Sequence, residues 1–560
     1  MFKKTDPNPQ LDIFTAPSMQ LGSRASKKYS DPNAWHNQFY SLVTTKINEE
    51  IFKPLFPEGK KCGRPNASIR ILVAMSALKE GFGCSDEDLF EKCEFDLLTR
   101  KALGMELLTD VTPSIDTYYL FRRRICEYQE RTGIDLMQLC FEQLAGNQVR
   151  LLKISGKCVR MDSKLIGSNI ARQSRYELIH TTLVKFLKTC TLSDLSPEQE
   201  ERAKEYLKED SSKTVYRSDS DTLQSNLARI GNFIMEMLAT FPATSPAHDL
   251  LQRLFDEQYA VKDGKAVLRD KKEVKADSLQ NPNDPDATYR AKNDQKVQGY
   301  VTNITETVEE GKPNIITSVQ VETAVFADCH FLQEAVENSE RVTDSTIEDL
   351  YADGAYQSPD NREFAKNHNA MQLKTGKMQG GCRWELIPHD EDGLTVREIA
   401  TGNTYEAVKA VTKQGSRKRW RIPWNNKTGW RYFEDKDIKA YQLRKQIESL
   451  PLEEQHKRNN VEAAMFQYSF HTRKGKTRYR GLLKHRMHAY SRCMWMNLRR
   501  MVIFQISTFQ RSIFALFGPI REAFGSFKAI SRKIFTSGAD CYVSLRMTIL
   551  VRQDSKYAPF

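Results

Sequence analysis

Apolar residues recur at helical spacing through residues 41–150. In Ser68–Lys79 they lie three and four residues apart, which is typical of an amphipathic helix. Ser85 then opens S-D-E-D, a capping-box pattern with Asp88 in place of the usual Glu or Gln. A further helix is predicted from Ile115 to about Thr132, between helix start and stop signals. We therefore predict that this region is helical throughout.

The last of these helices carries a basic face formed by Arg122, Arg123 and Arg124. Short helices with basic outer faces are typical of helix-turn-helix DNA readers. A plain helical bundle with a solvated basic face fits the same pattern. Arg122 and Arg123 are therefore candidate DNA contacts, with the structural alternative left open.

Strand patterns follow this helical region. Lys157–Ser163 reads K-C-V-R-M-D-S and predicts a strand. Gly299–Ile304 and Ile315–Val321 flank a turn and predict a β-hairpin. Leu350–Ala352 predicts one more strand, and Ser358 is expected to cap the helix that follows it.

Two segments interrupt the strand patterns. Residues 170–260 are helical and charged and lead into a polar linker, which indicates a helical insertion. Residues 377–434 hold Gly, Trp, Thr and Arg with D-G and N-K-T-G turns, which predicts short strands. Helical periodicity returns over residues 440–500.

Composition narrows the class of protein. The 560 residues suffice for roughly three to four domains, and the net charge of +12 attracts polyanions such as nucleic acid. The eleven cysteines are scattered without a C-x-x-C, which argues against a disulfide framework and for a reducing compartment. The N-terminus lacks an apolar signal core, and Met501–Ile520 is too polar to span a bilayer. We therefore expect a cytoplasmic protein that does not bind membranes.

Three acidic residues lie in settings that suit metal-dependent chemistry. Asp162 lies in a predicted strand, Asp353 ends another strand before a Gly-containing turn, and Glu462 lies inside a helix. Strand ends beside helices are where α/β sheets place their sites. Three carboxylates from separate elements can hold two hard cations about 3.5–4 Å apart, an arrangement that catalyses in-line phosphoryl displacement. For each residue taken alone, the alternative is a solvated surface carboxylate.

The segment His471–Arg500 contains ten Lys or Arg residues and no Asp or Glu, with aromatic residues interleaved. Such a run repels itself unless an anion lies against it, which predicts a phosphate backbone as its partner. A solvated helix face is the alternative. The candidate DNA contacts in this segment are Arg473, Lys474, Lys476, Arg478, Arg480 and Lys484.

Four tryptophans lie in the predicted β-rich insertion: Trp384, Trp420, Trp424 and Trp430. Such rings can stack on a base that has left the duplex, or they can form the core of the insertion. The sequence has no H-E-x-x-H and no G-x-x-x-x-G-K-[ST]. We therefore expect no dependence on ATP.

The blocks around the three acids resemble the catalytic blocks of bacterial insertion-sequence DDE transposases. These are D-S-K at Asp162, Y-A-D-G-A-Y around Asp353, and R-x-x-x-E from Arg458 to Glu462. D-P-D-A-T-Y-R-A-K, ahead of Tyr300, resembles the block that precedes the second strand. GRPNASIRILVAMSALKEGFGCSDEDLFEKCEFD resembles the N-terminal InsH-type domain of the same elements. The blocks occur in family order.

This resemblance implies an α/β, RNase H-like catalytic core with a mixed sheet. The first strand would carry Asp162, the end of the fourth strand Asp353, and a helix Glu462, as catalytic residues and as ligands of two Mg²⁺ or Mn²⁺ ions. Arg458 is expected to contact DNA. The implied organisation is a flexible arm (1–40), a helical DNA-binding domain (41–150), a core in three parts (151–168, 284–376 and 440–500), a helical insertion with linker (169–283), a β-rich insertion (377–439) and a tail region (501–560).

The family also implies an activity. A transposase of this kind cleaves DNA at transposon ends and transfers the strand into target DNA, acting as a homodimer on DNA in the bacterial nucleoid. The sequence departs from the family at two positions, because Gln455 and Ser469 stand where many members have Tyr and Lys. Two alternatives stay open: a non-catalytic DNA-binding relic, and a structure-specific nuclease with the same metal site.

Overall fold

The computed structural model contains a helical N-terminal part, a central mixed sheet and two inserted units. This agrees with the predicted α/β class and its two kinds of insertion. The residues that the structure describes are 2–5, 16–56, 65–242, 245–292, 295–375, 382–389, 393–410, 419–424, 429–449, 451, 454, 457 and 461–523.

Helices fill the described residues ahead of the central sheet. They are α1 (Pro17–Gln20), α2 (Ser23–Tyr29), α3 (Trp35–Leu42), α4 (Ile69–Phe82), α5 (Asp86–Phe95), α6 (Leu97–Leu103), α7 (Ile115–Thr132) and α8 (Leu136–Leu152), with 3-10 turns at Thr44–Lys46 and Glu49–Leu55. The predicted capping box is confirmed, because the Ser85 side chain accepts from the Asp88 N–H and Asp88 accepts from the Ser85 N–H. Helix α7 has the predicted bounds.

Residues 16–40 contain α1, α2 and most of α3, whereas the sequence predicted a flexible arm. Trp35 and Phe39, four residues apart on α3, are buried in the same core as α4. The Trp35 ring meets those of Phe82 and Trp495 edge-on, at centroid distances of 5.5 and 6.1 Å. Burying large aromatic rings is strongly favourable, and it fixes a segment whose polar and Pro-rich neighbours suggested a loose chain.

The first inserted unit follows strand β1 (Cys158–Gly167) and has its own core. It comprises α9 (Arg175–Leu187), α10 (Pro197–Lys208), α11 (Ser211–Arg217), α12 (Ser220–Thr240) and α13 (Pro246–Gln258), followed by the hairpin of β2 (Tyr259–Lys262) and β3 (Lys265–Leu268). Ile179, Phe233 and Leu254 are fully buried in a cluster separate from the N-terminal core. The helical character predicted for residues 170–260 is confirmed.

The central sheet combines antiparallel and parallel strands. Its further elements are β4 (Thr288–Lys292), β5 (Gln295–Thr307), β6 (Ile316–Thr323), α14 (Leu332–Thr343), β7 (Asp349–Ala352), α15 (Pro359–Asn367) and β8 (Gln372–Thr375). The strand order is β4-β5-β1-β7-β8, with β6 also paired to β5. β5 is antiparallel to β1 and β6, whereas β7 is parallel to β1 and β8. The predicted β5–β6 hairpin is confirmed.

The second inserted unit is a five-stranded antiparallel sheet. Its strands are β9 (Trp384–Pro388), β10 (Leu394–Glu398), β11 (Thr404–Ala410), β12 (Arg419–Trp424) and β13 (Gly429–Glu434), and α16 (Asp435–Glu448) follows. Neighbouring strands in sequence are neighbours in the sheet. The short strands predicted for this region are confirmed.

Two last helices return to the central sheet. α17 (Val461–Ser469) packs beside β1, and α18 (Leu482–Ala523) packs against α4, α8 and β6. At the contact of α18 with α4, Gly81 faces the Trp495 ring so closely that an added Cβ would lie 2.3 Å from a ring carbon. This glycine therefore sets how near the two helices can approach.

We expect Gly81→Ala to lower the free energy of unfolding by about 3 kcal/mol, because the added methyl group would force Trp495 out of its position. Urea denaturation followed by tryptophan fluorescence measures the change. Gly22→Ala is the matched control, since an added Cβ there meets nothing within 4 Å. Equal stability of the two variants would contradict this role of Gly81.

Candidate active site and basic cleft

Asp162 and Asp353 lie side by side in the central sheet. β1 and β7 pair through Arg160 and Tyr351, and two residues farther along the two chains come Asp162 and Asp353. Neighbouring strands lie about 4.8 Å apart, and matching positions point to the same face. The parallel register therefore brings together two aspartates that are far apart in the sequence.

Burial and the neighbouring carboxylate both act on Asp162. Its pKa is raised to about 6, chiefly because burial removes water from the carboxyl group and further because Asp353 is a negative neighbour. The Ser163 N–H donates to Asp162 Oδ1 at 2.8 Å and opposes the rise. The Gly354 N–H donates to Asp353 Oδ1 at 2.7 Å. Two carboxylates held this way repel each other, and a bound cation would relieve the repulsion.

Glu462 is exposed in the first turn of α17. Val461, Ala464 and Tyr468 take up the buried face of this short helix, and Glu462 lies at the side of that face. No group of three or more His, Cys, Asp or Glu in the described part of the chain could hold a metal ion. The structure therefore brings Asp162 and Asp353 together, and Glu462 does not complete a three-residue metal-binding group with them.

A buried hydrogen-bond chain lies near the two aspartates. The Tyr356 hydroxyl donates to Asn303 Oδ1 at 2.6 Å, and the Asn303 amide donates to Gln320 Oε1 at 2.8 Å. The pKa of Tyr356 lies well above its usual value because of burial and the nearby charge of Asp162. Sequence reasoning missed Tyr356 and Asn303, although Tyr356 is the last residue of the Y-A-D-G-A-Y block.

A basic cleft of about 520 Å³ opens at the end of β1. It is lined by the ends of β1 and β5, by Arg172, and by the segment that follows α17. The basic residues among those that line it are Lys164, Arg172, Lys296, Lys474 and Lys476. No acidic residue is among them. Lys164, Arg172 and Lys296 were not predicted as contacts, because each stands apart from the basic run in the sequence.

The predicted basic run divides into two parts. Arg473, Lys474, Arg478, Arg480 and Lys484 are exposed and Lys476 is half-buried, although Arg478 donates to the Gly83 carbonyl and Arg480 to that of Asn169. From His485 onwards the run lies inside the protein. Arg492 donates to the carbonyls of Glu80 and Gln467, and Arg500 pairs with the buried Glu306 at 2.7 Å. The prediction that the whole run faces a phosphate backbone is therefore wrong for this second part.

The other predicted DNA contacts have different surroundings. Arg122 was expected to face outward, but its side chain is 15% exposed and stacks on Tyr118 and Tyr479, 5.4 and 5.2 Å from the ring centroids. Such stacking on aromatic rings occupies the guanidinium within the protein. Arg123 is exposed and pairs with Glu127 at 3.5 Å. Arg458 lies outside the described residues.

The tryptophans of the second insertion differ in burial. Trp384 and Trp420 are buried in its core, as the structural alternative predicted. Trp430 is half exposed and has the Arg421 guanidinium 4.2 Å from its ring centroid. The side chain of Trp424 lies outside the described part of the structure.

Replacing Asp162 with Asn should stabilise the fold at neutral pH by about 1–3 kcal/mol. A carboxyl group with a raised folded-state pKa binds protons on folding. The unmodified protein therefore loses stability as pH rises from about 4 to 6, whereas the variant does not. Urea denaturation should show the gap at pH 7.5 and its disappearance near pH 4.

Mn²⁺ or Mg²⁺ should raise the melting temperature of the unmodified protein more than that of Asp162→Asn, since ligand binding to the folded state stabilises it. Asp344→Asn is the control, because this residue is exposed with a left-handed backbone (φ 53°) that Asn also adopts. A stability gap independent of pH, or the same metal response in all three proteins, would contradict the paired-carboxylate interpretation.

Residues 28–124 match the family model described as Transposase domain (DUF772). The match runs from the end of α2 to the middle of α7 and supports a transposase of the insertion-sequence type, with DNA as its partner. No curated protein and no solved structure matched the chain. Among the described helices, none is both long and apolar enough to cross a bilayer.

Proposed function

We propose that this protein is a DDE transposase, which cleaves DNA at transposon ends and transfers the freed strand into target DNA. The observation that carries the proposal is the placement of Asp162, in β1, beside Asp353, which directly follows the parallel strand β7. The match to a transposase domain in the N-terminal helices supports the same class of protein.

The strand order supports an RNase H-like core. Three antiparallel strands, β6, β5 and β1, are continued by the parallel strands β7 and β8. This is the mixed sheet that the family resemblance implies, with Asp162 on its first strand and Asp353 after its fourth. β4 pairs with the first part of β5 and is an addition to these five strands.

Asp162 and Asp353 fit a divalent metal, because hard cations prefer carboxylate oxygens and these two carboxyl groups lie next to each other. We propose that they hold two Mg²⁺ or Mn²⁺ ions together with Glu462. α17 runs alongside β1 in space. Just before the helix the Lys457 carbonyl accepts from Arg160 at 2.8 Å, and at its end Ser469 lines the cleft beside Lys164. Its first turn, with Glu462, therefore lies beside the strand segment that carries Asp162.

Bound ions of this kind activate a nucleophile and stabilise the oxygens of an in-line phosphoryl displacement. The residues of the chain supply the rest. Asp162 and Asp353 would hold the ions at a fixed place on the sheet, and the Tyr356 hydroxyl joins the turn after Asp353 to Asn303 of β5. Strand cleavage and strand transfer are both phosphoryl transfers, so one site serves both. Two ends must be held together, for which we propose a homodimer on DNA.

The test is a labelled duplex that carries the inverted repeat from the flanking DNA, with Mg²⁺, a supercoiled target plasmid and no ATP. Nicking at the end followed by joining is expected from the unmodified protein. Asp353→Asn should lower the cleavage rate roughly a thousandfold, since a metal ion contributes several kcal/mol. Asp344→Asn, which makes the same change at an exposed position, should cleave normally.

The other outcomes separate the alternatives. Nicking without joining would indicate a structure-specific nuclease. Specific binding without any nicking would indicate a non-catalytic relic. Full activity of Asp353→Asn would contradict the proposed site.

A further inference from the structure

A tight basic turn is docked on the end of β1. Arg473 and Lys476 exchange backbone hydrogen bonds of 3.1 and 3.0 Å, and the two residues between them have positive φ angles of 52° and 72°. This is the geometry of a two-residue hairpin turn, in which Gly475 avoids the cost of a left-handed conformation. The Gly167 N–H donates to the Gly475 carbonyl at 2.8 Å, and the Thr477 N–H donates to the Gly167 carbonyl at 3.0 Å. The turn is therefore held in place by the strand that carries Asp162.

The same strand connects the turn to the candidate active site. Lys164 follows Asp162 by two residues, so both side chains point to one face of the sheet, about 7 Å apart along the strand. Lys164 lines the cleft, as do Lys296 at the start of β5 and Lys474 in the turn. The cleft therefore lies directly beside the paired aspartates, on the same face of the sheet.

The charges in the cleft are all of one sign. Two of these cations already hydrogen-bond to the backbone: Lys476 donates to the Ile170 carbonyl at 2.6 Å, and Arg172 donates to the carbonyl of Lys296. Lys296 and Lys474 are exposed. Asp162 offsets part of the charge of Lys164. The other cations, gathered from separate segments, repel one another unless an anion lies among them.

We propose that this cleft is the groove that holds the DNA backbone next to the Asp162–Asp353 pair, binding consecutive phosphates through Lys164, Lys296 and Lys474. This assignment rests on the proposed function for the choice of DNA as the polyanion. Lysines grip phosphate as point charges and carry no sequence information, so the cleft positions the strand without reading its bases.

The experiment measures binding of the full chain to a fluorescein-labelled 30-base-pair duplex of arbitrary sequence, by anisotropy over a range of salt concentrations in EDTA. The slope of log binding constant against log salt reports the number of phosphates contacted. Lys296→Gln with Lys474→Gln should reduce the magnitude of that slope by roughly two units, about one per lost contact. Both side chains are exposed, so thermal melting should be unchanged.

Lys188→Gln with Lys208→Gln, two exposed lysines on the helical insertion, changes the net charge equally and should leave the slope unchanged. Equal slopes for the two double variants would overturn the proposal, because the effect would then be one of overall charge. Tighter binding of an RNA duplex through the same lysines would overturn the assignment to DNA. Displacement of the duplex by low-millimolar inorganic phosphate would overturn it in favour of a small-anion site.

EDTA prevents metal-dependent cleavage, so the binding result is independent of the result of the cleavage assay. A protein that never cuts DNA can still show the loss of slope, and a protein that cuts DNA normally can fail to show it.

Discussion

The buried charge of Glu80 is the constraint on which the rest of the structure depends. Its carboxylate accepts from His488 at 2.7 Å and from the Tyr479 hydroxyl, both far along the chain. Burial alone would raise the pKa of Glu80, but His488 and Lys79 lower it more, and the net shift is downward. A charge that is buried without a partner is very costly. If α18 moved away from α4, Glu80 would lose His488, so this ion pair holds the two helices together. The helices that match the transposase domain are thereby joined to α18.

Helix α18 extends this constraint to the central sheet. Asn497 makes two hydrogen bonds to the backbone of Ile316 in β6, at 2.8 and 2.9 Å. Arg500 reaches Glu306 in β5, which also pairs with Arg160 of β1. These contacts join α18 to β6 and β5, and through Glu306 to β1, the strand that carries Asp162. Neither inserted unit is needed for these contacts.

Short sequence patterns were sufficient to predict several helices and strands. The surroundings of individual side chains depend on contacts between remote parts of the chain and were not predicted. The capping box at Ser85, the hairpin of β5 and β6 and the strand before Asp353 all follow from short patterns. The burial of Arg122 and Arg492 could not be predicted, because the rings and carbonyls that surround them come from remote parts of the chain. The same holds for the cleft, whose lysines come from three segments. Charge in a sequence does not reveal whether its partner will be water, DNA or protein.

The separate core of the first inserted unit has an evolutionary consequence. Ile179, Phe233 and Leu254 pack within the unit, and the chain leaves β1 and re-enters the sheet at β4 with that core complete between them. Substitutions inside such a unit are compensated by its own residues, and the strand register around Asp162 is not disturbed. The insertion is therefore free to diverge, to be exchanged or to acquire new binding partners, while selection keeps the interrupted sheet around it constant.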